Sequence, residues 1–147
     1  MENIFDINTH NKVVDRVQSL IESSEAQWGR MSVDQMLHHC QGPLHIILEK
    51  NTYGLKPSWF AKTFFKKSMY SDKLWKKNLP TLKAFRETES YDFEEEKGKL
   101  LDLINELGTH RDKSEWQEHP TFGYFTPEQW GKMHYKHLDH HLRQFGA

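Results

Sequence analysis

TPEQWGKMHYKHLDHHLRQFG, residues 126–146, carries four of the ten histidines of the chain within eight residues: His134, His137, His140 and His141. Local signals make the segment a helix. Thr126 is a favoured N-cap, Gln129 completes a capping box with it, and Pro127 suits the first helical position, where a missing N–H costs nothing. Gly146 suits the residue just past the end. At about 100° per residue, Trp130, His134, His137, His141 and Phe145 share one stripe, and Lys132, Lys136, Asp139 and Arg143 fall opposite. The histidines therefore face the way the apolar residues face, and a buried imidazole has two ring nitrogens that need partners. His137 and His141, spaced i, i+4, lie one turn apart and can hold one metal ion between them. An isolated pair of this kind is more often surface or satisfied core, so a further histidine from elsewhere is needed to favour a metal.

A second predicted helix supplies one. Ser32 opens it with Gln35 in the capping-box position. Val33, Met36, Leu37, Cys40, Leu44 and Ile47 form its apolar arc, and Asp34, His38, Gln41, His45 and Glu49 the polar one. His39 sits at the edge of the apolar arc, so of the three histidines here it alone points inward; His38 and His45 read as solvated. Gly42-Pro43 removes a ladder hydrogen bond one turn past His39 and predicts a kink, which either fits the helix around its neighbours or opens space beside the histidine. Cys40, on the apolar arc, reads as a buried inert thiol.

Around these two helices the remaining segments fall into place. Val13, Val14, Val17, Leu20 and Ile21 predict a first helix from a Thr9 cap to about Gln27. Asp92 caps a third long helix with Phe93, Leu100, Leu101, Leu103, Ile104 and Leu107 on one face, and Gly108 ends it. Glu94, Glu95 and Glu96 suit the helix dipole in its first turn. The connection 51–91 is too long to be structureless, which predicts short helices near 58–67 and 71–77. Its lysines alternate with Trp59, Phe60, Phe64, Phe65, Tyr70 and Trp75, the pattern of a cap with rings inward and ammonium groups outward; a single-stranded nucleic-acid surface is the lesser reading. His119 lies in the turn before the last helix.

Composition bounds the function classes. A chain of 147 residues suits one domain, here residues 1–147, and 20 basic against 21 acidic residues give no overall charge that would draw nucleic acid or an anionic membrane. A single cysteine excludes an internal disulfide and suits a reducing compartment. With no long apolar run and no signal-peptide pattern, a cytoplasmic protein is expected. Four amphipathic helices with a long crossover between the second and third predict an all-α four-helix bundle. In such a fold, His39 from the second helix and His137 and His141 from the fourth would form a facial set of three nitrogens. Three protein ligands leave a position for water or substrate, the arrangement of a catalytic zinc site.

The phrases MSVDQMLHHCQ (31–41), HPTFG (119–123) and WGKMHYKHLDHHLRQFG (130–146) resemble the DinB-like (damage-inducible) four-helix-bundle superfamily, and within it a bacterial family of unknown function. The resemblance covers nearly the whole chain and is weakest over 51–91. It implies an up-down-down-up bundle, homodimers, and a divalent metal held by a histidine of the second helix and an i, i+4 pair of the last, which fall on His39, His137 and His141. Characterised relatives in that superfamily are thiol-dependent transferases or isomerases, so a low-molecular-weight thiol is an implied partner.

The expected function is that of a divalent-metal-dependent enzyme, a transferase or hydrolase acting on a small molecule, with Zn²⁺ first and Ni²⁺, Mn²⁺ or Fe²⁺ also compatible with imidazole. His134 is the candidate for a nearby base or substrate contact, with packing against Trp130 as the alternative. Gln144 suits either a hydrogen bond to a ligand imidazole or a loose contact at the end of the helix, and its position does not choose between them. Expected partners are the small molecule and a second copy of the chain, with no membrane and nucleic acid disfavoured. The competing class is a non-catalytic bundle that binds a metal or small ligand as a sensor or scaffold.

Overall fold

A computed structural model describes residues 1–147. It is all-helical: α1 Ile7–Ser19, α2 Val33–Ile47, α3 Trp59–Phe64, α4 Lys66–Tyr70, α5 Phe93–Thr109 and α6 Pro127–Gln144, with a 3₁₀ turn at Lys83–Phe85 before α5. There is no strand, only an isolated bridge between His119 and Gly123. No helix is long and apolar enough to cross a membrane.

Capping chemistry sets most of the starts. In α6 the Gln129 N–H donates to Thr126 Oγ1 and the Thr126 N–H to Gln129 Oε1, the reciprocal box foreseen from the sequence. Asp92 accepts from Glu95 N–H at 2.8 Å to begin α5, and Ser32 N–H donates to Gln35 Oε1 at α2. In α1 the cap is Asp6, which accepts from the N–H of Thr9, so Thr9 is inside the helix and does not open it. A carboxylate one turn earlier outcompetes the threonine hydroxyl.

The ends depart further from expectation. α1 stops at Ser19 and not near Gln27: the Lys97 ammonium reaches from α5 to the carbonyls of Gln18 and Leu20, and Ser24 Oγ takes the Ile21 N–H. Ile21, left outside the helix, is 61% exposed. Gly108 does not end α5, which runs to Thr109. Its lack of a side chain serves packing instead, because a Cβ there would lie 2.6 Å from the His10 ring. α2 continues through Gly42-Pro43 as one helix.

The four long helices enclose one core. α2 makes its longest interface with α5, α1 touches α5 and α6, and α6 also touches α2 and α4. Val13 and Val17, Met36, Leu37 and Leu44, Leu100 and Ile104, Trp130, Leu138 and Leu142 meet there. Each such side chain contributes roughly 2 kcal/mol through its removal from water. Two residues expected on polar faces join them: Gln41 Nε2 donates to Glu96 Oε2 at 2.6 Å, and Lys99 meets the other Glu96 oxygen at 2.8 Å. Glu96 is thus a buried acceptor linking α2 to α5 as well as a first-turn charge.

The connection 51–91 corrects two further expectations. Residues 71–77 are not helical; Ser71 is extended, and its carbonyl and hydroxyl accept from Lys136 of α6. The rings-inward reading holds for Tyr70 and Trp75, which are half-buried; Met69 and Phe85, outside that reading, are half-buried as well. It fails for α3, which has no buried residue. Residues 66–85 thus form a strap across α6, and that strap explains why Lys136, expected on the surface, is 2% exposed. Its ammonium donates to the carbonyl oxygens of Ser68 and Ser71 at 2.7 and 3.0 Å. Asp139, also expected outside, is buried between Arg16 of α1 and Arg143, each 2.9 Å away.

Candidate metal centre

His39 projects from α2 and His137 and His141 from successive turns of α6. One ring nitrogen from each lies within 4.8 Å of the others. Ring centroids are 4.7 Å apart for His39 and His141, 4.8 Å for His137 and His141, and 5.2 Å for His39 and His137. Nε2 of His39 and Nε2 of His137 are 3.2 Å apart. Two nitrogens sharing one tetrahedral ion at zinc bond lengths stand roughly 3.3 Å apart. The spacing of this pair therefore suits a common cation. His39 and His141 are buried, and His137 is the least enclosed of the three.

Hydrogen bonds on the far sides of two rings fix which nitrogen is free. His39 Nδ1 is 2.9 Å from the carbonyl oxygen of Phe85, which can only accept, so Nδ1 carries the proton and the Nε2 lone pair faces the cluster. Gln144 Nε2 donates to the Trp28 carbonyl at 2.7 Å, which turns Oε1 toward His141 Nδ1 at 2.8 Å. His141 Nδ1 is therefore also a donor, and its Nε2 is left bare. Metal-binding histidines are held in this manner, with the outer N–H on a carbonyl. The residues present fit a divalent ion.

Both outer contacts depend on a missing side chain. A Cβ on Gly42 would lie 2.7 Å from the Phe85 ring, so glycine at this point of α2 admits the 3₁₀ turn that brings the Phe85 carbonyl to His39. A Cβ on Gly29, whose φ is +81°, would lie 2.7 Å from Gln144 Nε2. Gly42 was read from the sequence only as half of a helix interruption. Neither its packing role nor that of Gly29 is visible without the partner segment, although a Gly at positive φ beside Trp28 is consistent with a turn.

Electrostatics keep the cluster neutral. Burial, then the backbone bond to Phe85 working against it, sets His39 below its ordinary value. Burial pushes His141 down to about 3, with His39 the next cause. His137 is held well below its ordinary range by burial and then by His141 and His39. Neutral imidazoles are the form that binds metals.

The other histidines have separate environments. His134 stacks on Trp130, centroids 5.6 Å apart at 11°, and its Nε2 has no partner. His140 lies between Trp28 and Trp75, its centroid 5.1 Å from that of His141. His38 and His45 are partly solvated and also partnered: the His38 side chain is 42% exposed, with Nδ1 2.9 Å from Glu87 and Tyr91 stacked on its ring, and His45 Nδ1 lies 2.6 Å from the Tyr53 hydroxyl. Glu87 and Tyr91, which follow the strap in the chain, supply the partners of His38, and α2 alone does not foretell them. His119 Nδ1 accepts from the N–H groups of Thr121 and Phe122, and its ring packs on Trp130. Cys40 is buried with its thiol pushed up by burial, which leaves it inert. Trp75, which the sequence placed only in a cap, sets its ring edge against both His137 and His140.

No curated protein and no solved structure matches the chain. A family model described as "Protein of unknown function (DUF1569)" matches residues 2–147, and the chain belongs to that family.

Proposed function

We propose that His39, His137 and His141 hold a divalent metal ion, Zn²⁺ first among Zn²⁺, Ni²⁺, Mn²⁺ and Fe²⁺, and that the protein is a metal-dependent enzyme acting on a small molecule. The observation that carries this reading is the pair of carbonyl oxygens, Phe85 and Gln144, that hold His39 and His141 with their Nε2 lone pairs turned to one point. Three protein donors are one fewer than structural zinc sites provide, which favours a site that takes a water or substrate. A bound cation would supply Lewis acidity there, acidifying a water or a thiol. The chain's own part is to hold three neutral imidazoles, to shield them with Trp75 and Phe85, and to keep Lys136 turned away from them toward the strap.

The same reading places the chain among DinB-like proteins, as an up-down-down-up four-helix bundle that forms homodimers and uses a low-molecular-weight thiol in transfer or hydrolysis. His134, one turn before His137 in the chain and with an unpartnered Nε2, is the candidate for a base or substrate contact. Elemental analysis of purified protein tests the metal. One equivalent of a divalent metal is expected, lost in His137→Ala and in His141→Ala. Metal content unchanged in those variants removes the site. Full metal with no thiol-dependent turnover of any electrophile would favour the non-catalytic class.

A further inference from the structure

Nine of the 20 basic residues and only one of the 21 acidic residues fall between residues 56 and 86, so a chain of net charge −1 carries one strongly cationic segment. Within it, Trp59, Phe60, Phe64 and Phe65 are 76%, 57%, 61% and 48% exposed. A single exposed ring is ordinary on a folded surface; four within seven residues need a reason. The rings gather on one another: Phe60 lies 4.9 Å from Phe64 and 5.6 Å from Phe65, and Trp59 6.3 Å from Phe64. They make a single apolar knob with Lys56, Lys62 and Lys67 exposed around it. Its base is fixed. Ser58 N–H donates to the Thr121 carbonyl at 3.2 Å, and the Lys66 ammonium bonds the Tyr124 carbonyl and lies 4.8 Å above the Phe125 ring.

We propose that α3 and its flanking lysines are a docking surface for an anionic phospholipid bilayer, on which the protein rests reversibly without spanning it. Aromatic rings suit the boundary between headgroups and acyl chains, and lysine stems lie along apolar surface while their ammonium groups reach phosphate. The expectation of no membrane partner rested on net charge and on the lack of a spanning segment, and a surface contact of this kind needs neither.

Other occupants suit the knob less. A second copy in a two-fold contact would bring two identical lysine-rimmed patches together, with like charges gathered around one seam. Single-stranded nucleic acid stacks on ring faces displayed one by one, whereas the phenylalanines here pack against each other. Residues 56–85 also contain no arginine for bidentate phosphate contacts.

Sedimentation of the full chain with vesicles at low salt tests the proposal. Binding is expected to mixed phosphatidylcholine and phosphatidylglycerol vesicles and not to phosphatidylcholine alone. Phe60→Ser with Phe64→Ser is expected to lower partitioning at least about tenfold by removing buried apolar surface. Lys56→Gln with Lys67→Gln is expected to lower it by about fivefold per lysine and to flatten its salt dependence. Helix content and melting temperature are expected to stay unchanged in both, because none of these side chains enters the core. Failure of the wild type to bind mixed vesicles overturns the proposal. So does binding undiminished by the serine pair, tighter binding to an oligonucleotide than to vesicles, or a dimer that the serine pair dissociates.

Discussion

Gln144 is engaged at both ends, donating to Trp28 and accepting from His141, and each bond sets the other's direction. Replacing it with alanine leaves His141 free to rotate or change tautomer, so metal affinity is expected to fall about 10- to 100-fold, read by competition with a chelator of known strength. Gly42→Ala acts on the opposite ring. The added methyl meets Phe85, shifts its carbonyl from His39, and is expected to weaken metal binding while leaving the secondary-structure spectrum intact. The three clustered imidazoles were legible in the sequence, since a helical wheel needs only spacing. Their outer partners were not, because a backbone carbonyl at Phe85 or Trp28 has no residue-type signature.

At the scale of the helix, α6 is enclosed on nearly every side. Its apolar stripe meets the core, Asp139 meets Arg16 of α1, and Lys136 pins the strap. The caps of α2, α5 and α6 were readable because a cap is a contact between residues three apart. The end of α1 was not, because it is set by Lys97 from 77 residues away. Polar residues opposite a stripe predict solvent only when no other segment lies over them, and the sequence does not announce what the strap covers. Lys136→Met keeps the apolar stem but leaves the Ser68 and Ser71 carbonyls without their donor. It is expected to cost about 1–3 kcal/mol in urea unfolding and to speed proteolysis within 66–85. Ile104→Ala, by contrast, empties part of the α2–α5 core and is expected to cost about 2–5 kcal/mol without altering cleavage of the strap.

Across the whole molecule, neutral buried histidines tie stability to pH. Burial holds His134 at about 3 and His119 at about 4, against 6.5 when unfolded. The unfolded chain therefore binds more protons below about pH 6.5, and the stabilisation present above that value is lost progressively as pH falls toward 4 and then 3. Urea midpoints are expected to be flat above pH 7 and to drop between pH 6 and 4, with a shallower drop in His134→Gln; a midpoint constant down to pH 4 would contradict the burial described. The all-helical class and the two helices bearing the histidines were legible because period and capping are local. The exposure of α3 was not, because its alternation of rings and lysines suits a buried cap and a bare knob equally.

Trp75, edge-on to both His137 and His140, has a kinetic corollary. With Trp75 of the strap against His137, release of an ion seated among the imidazoles is expected to wait on movement of the strap, so stripping by EDTA should reach a ceiling rate that further chelator does not raise. Trp75→Ala should remove that ceiling while leaving equilibrium affinity nearly untouched, which separates a gatekeeper from a ligand.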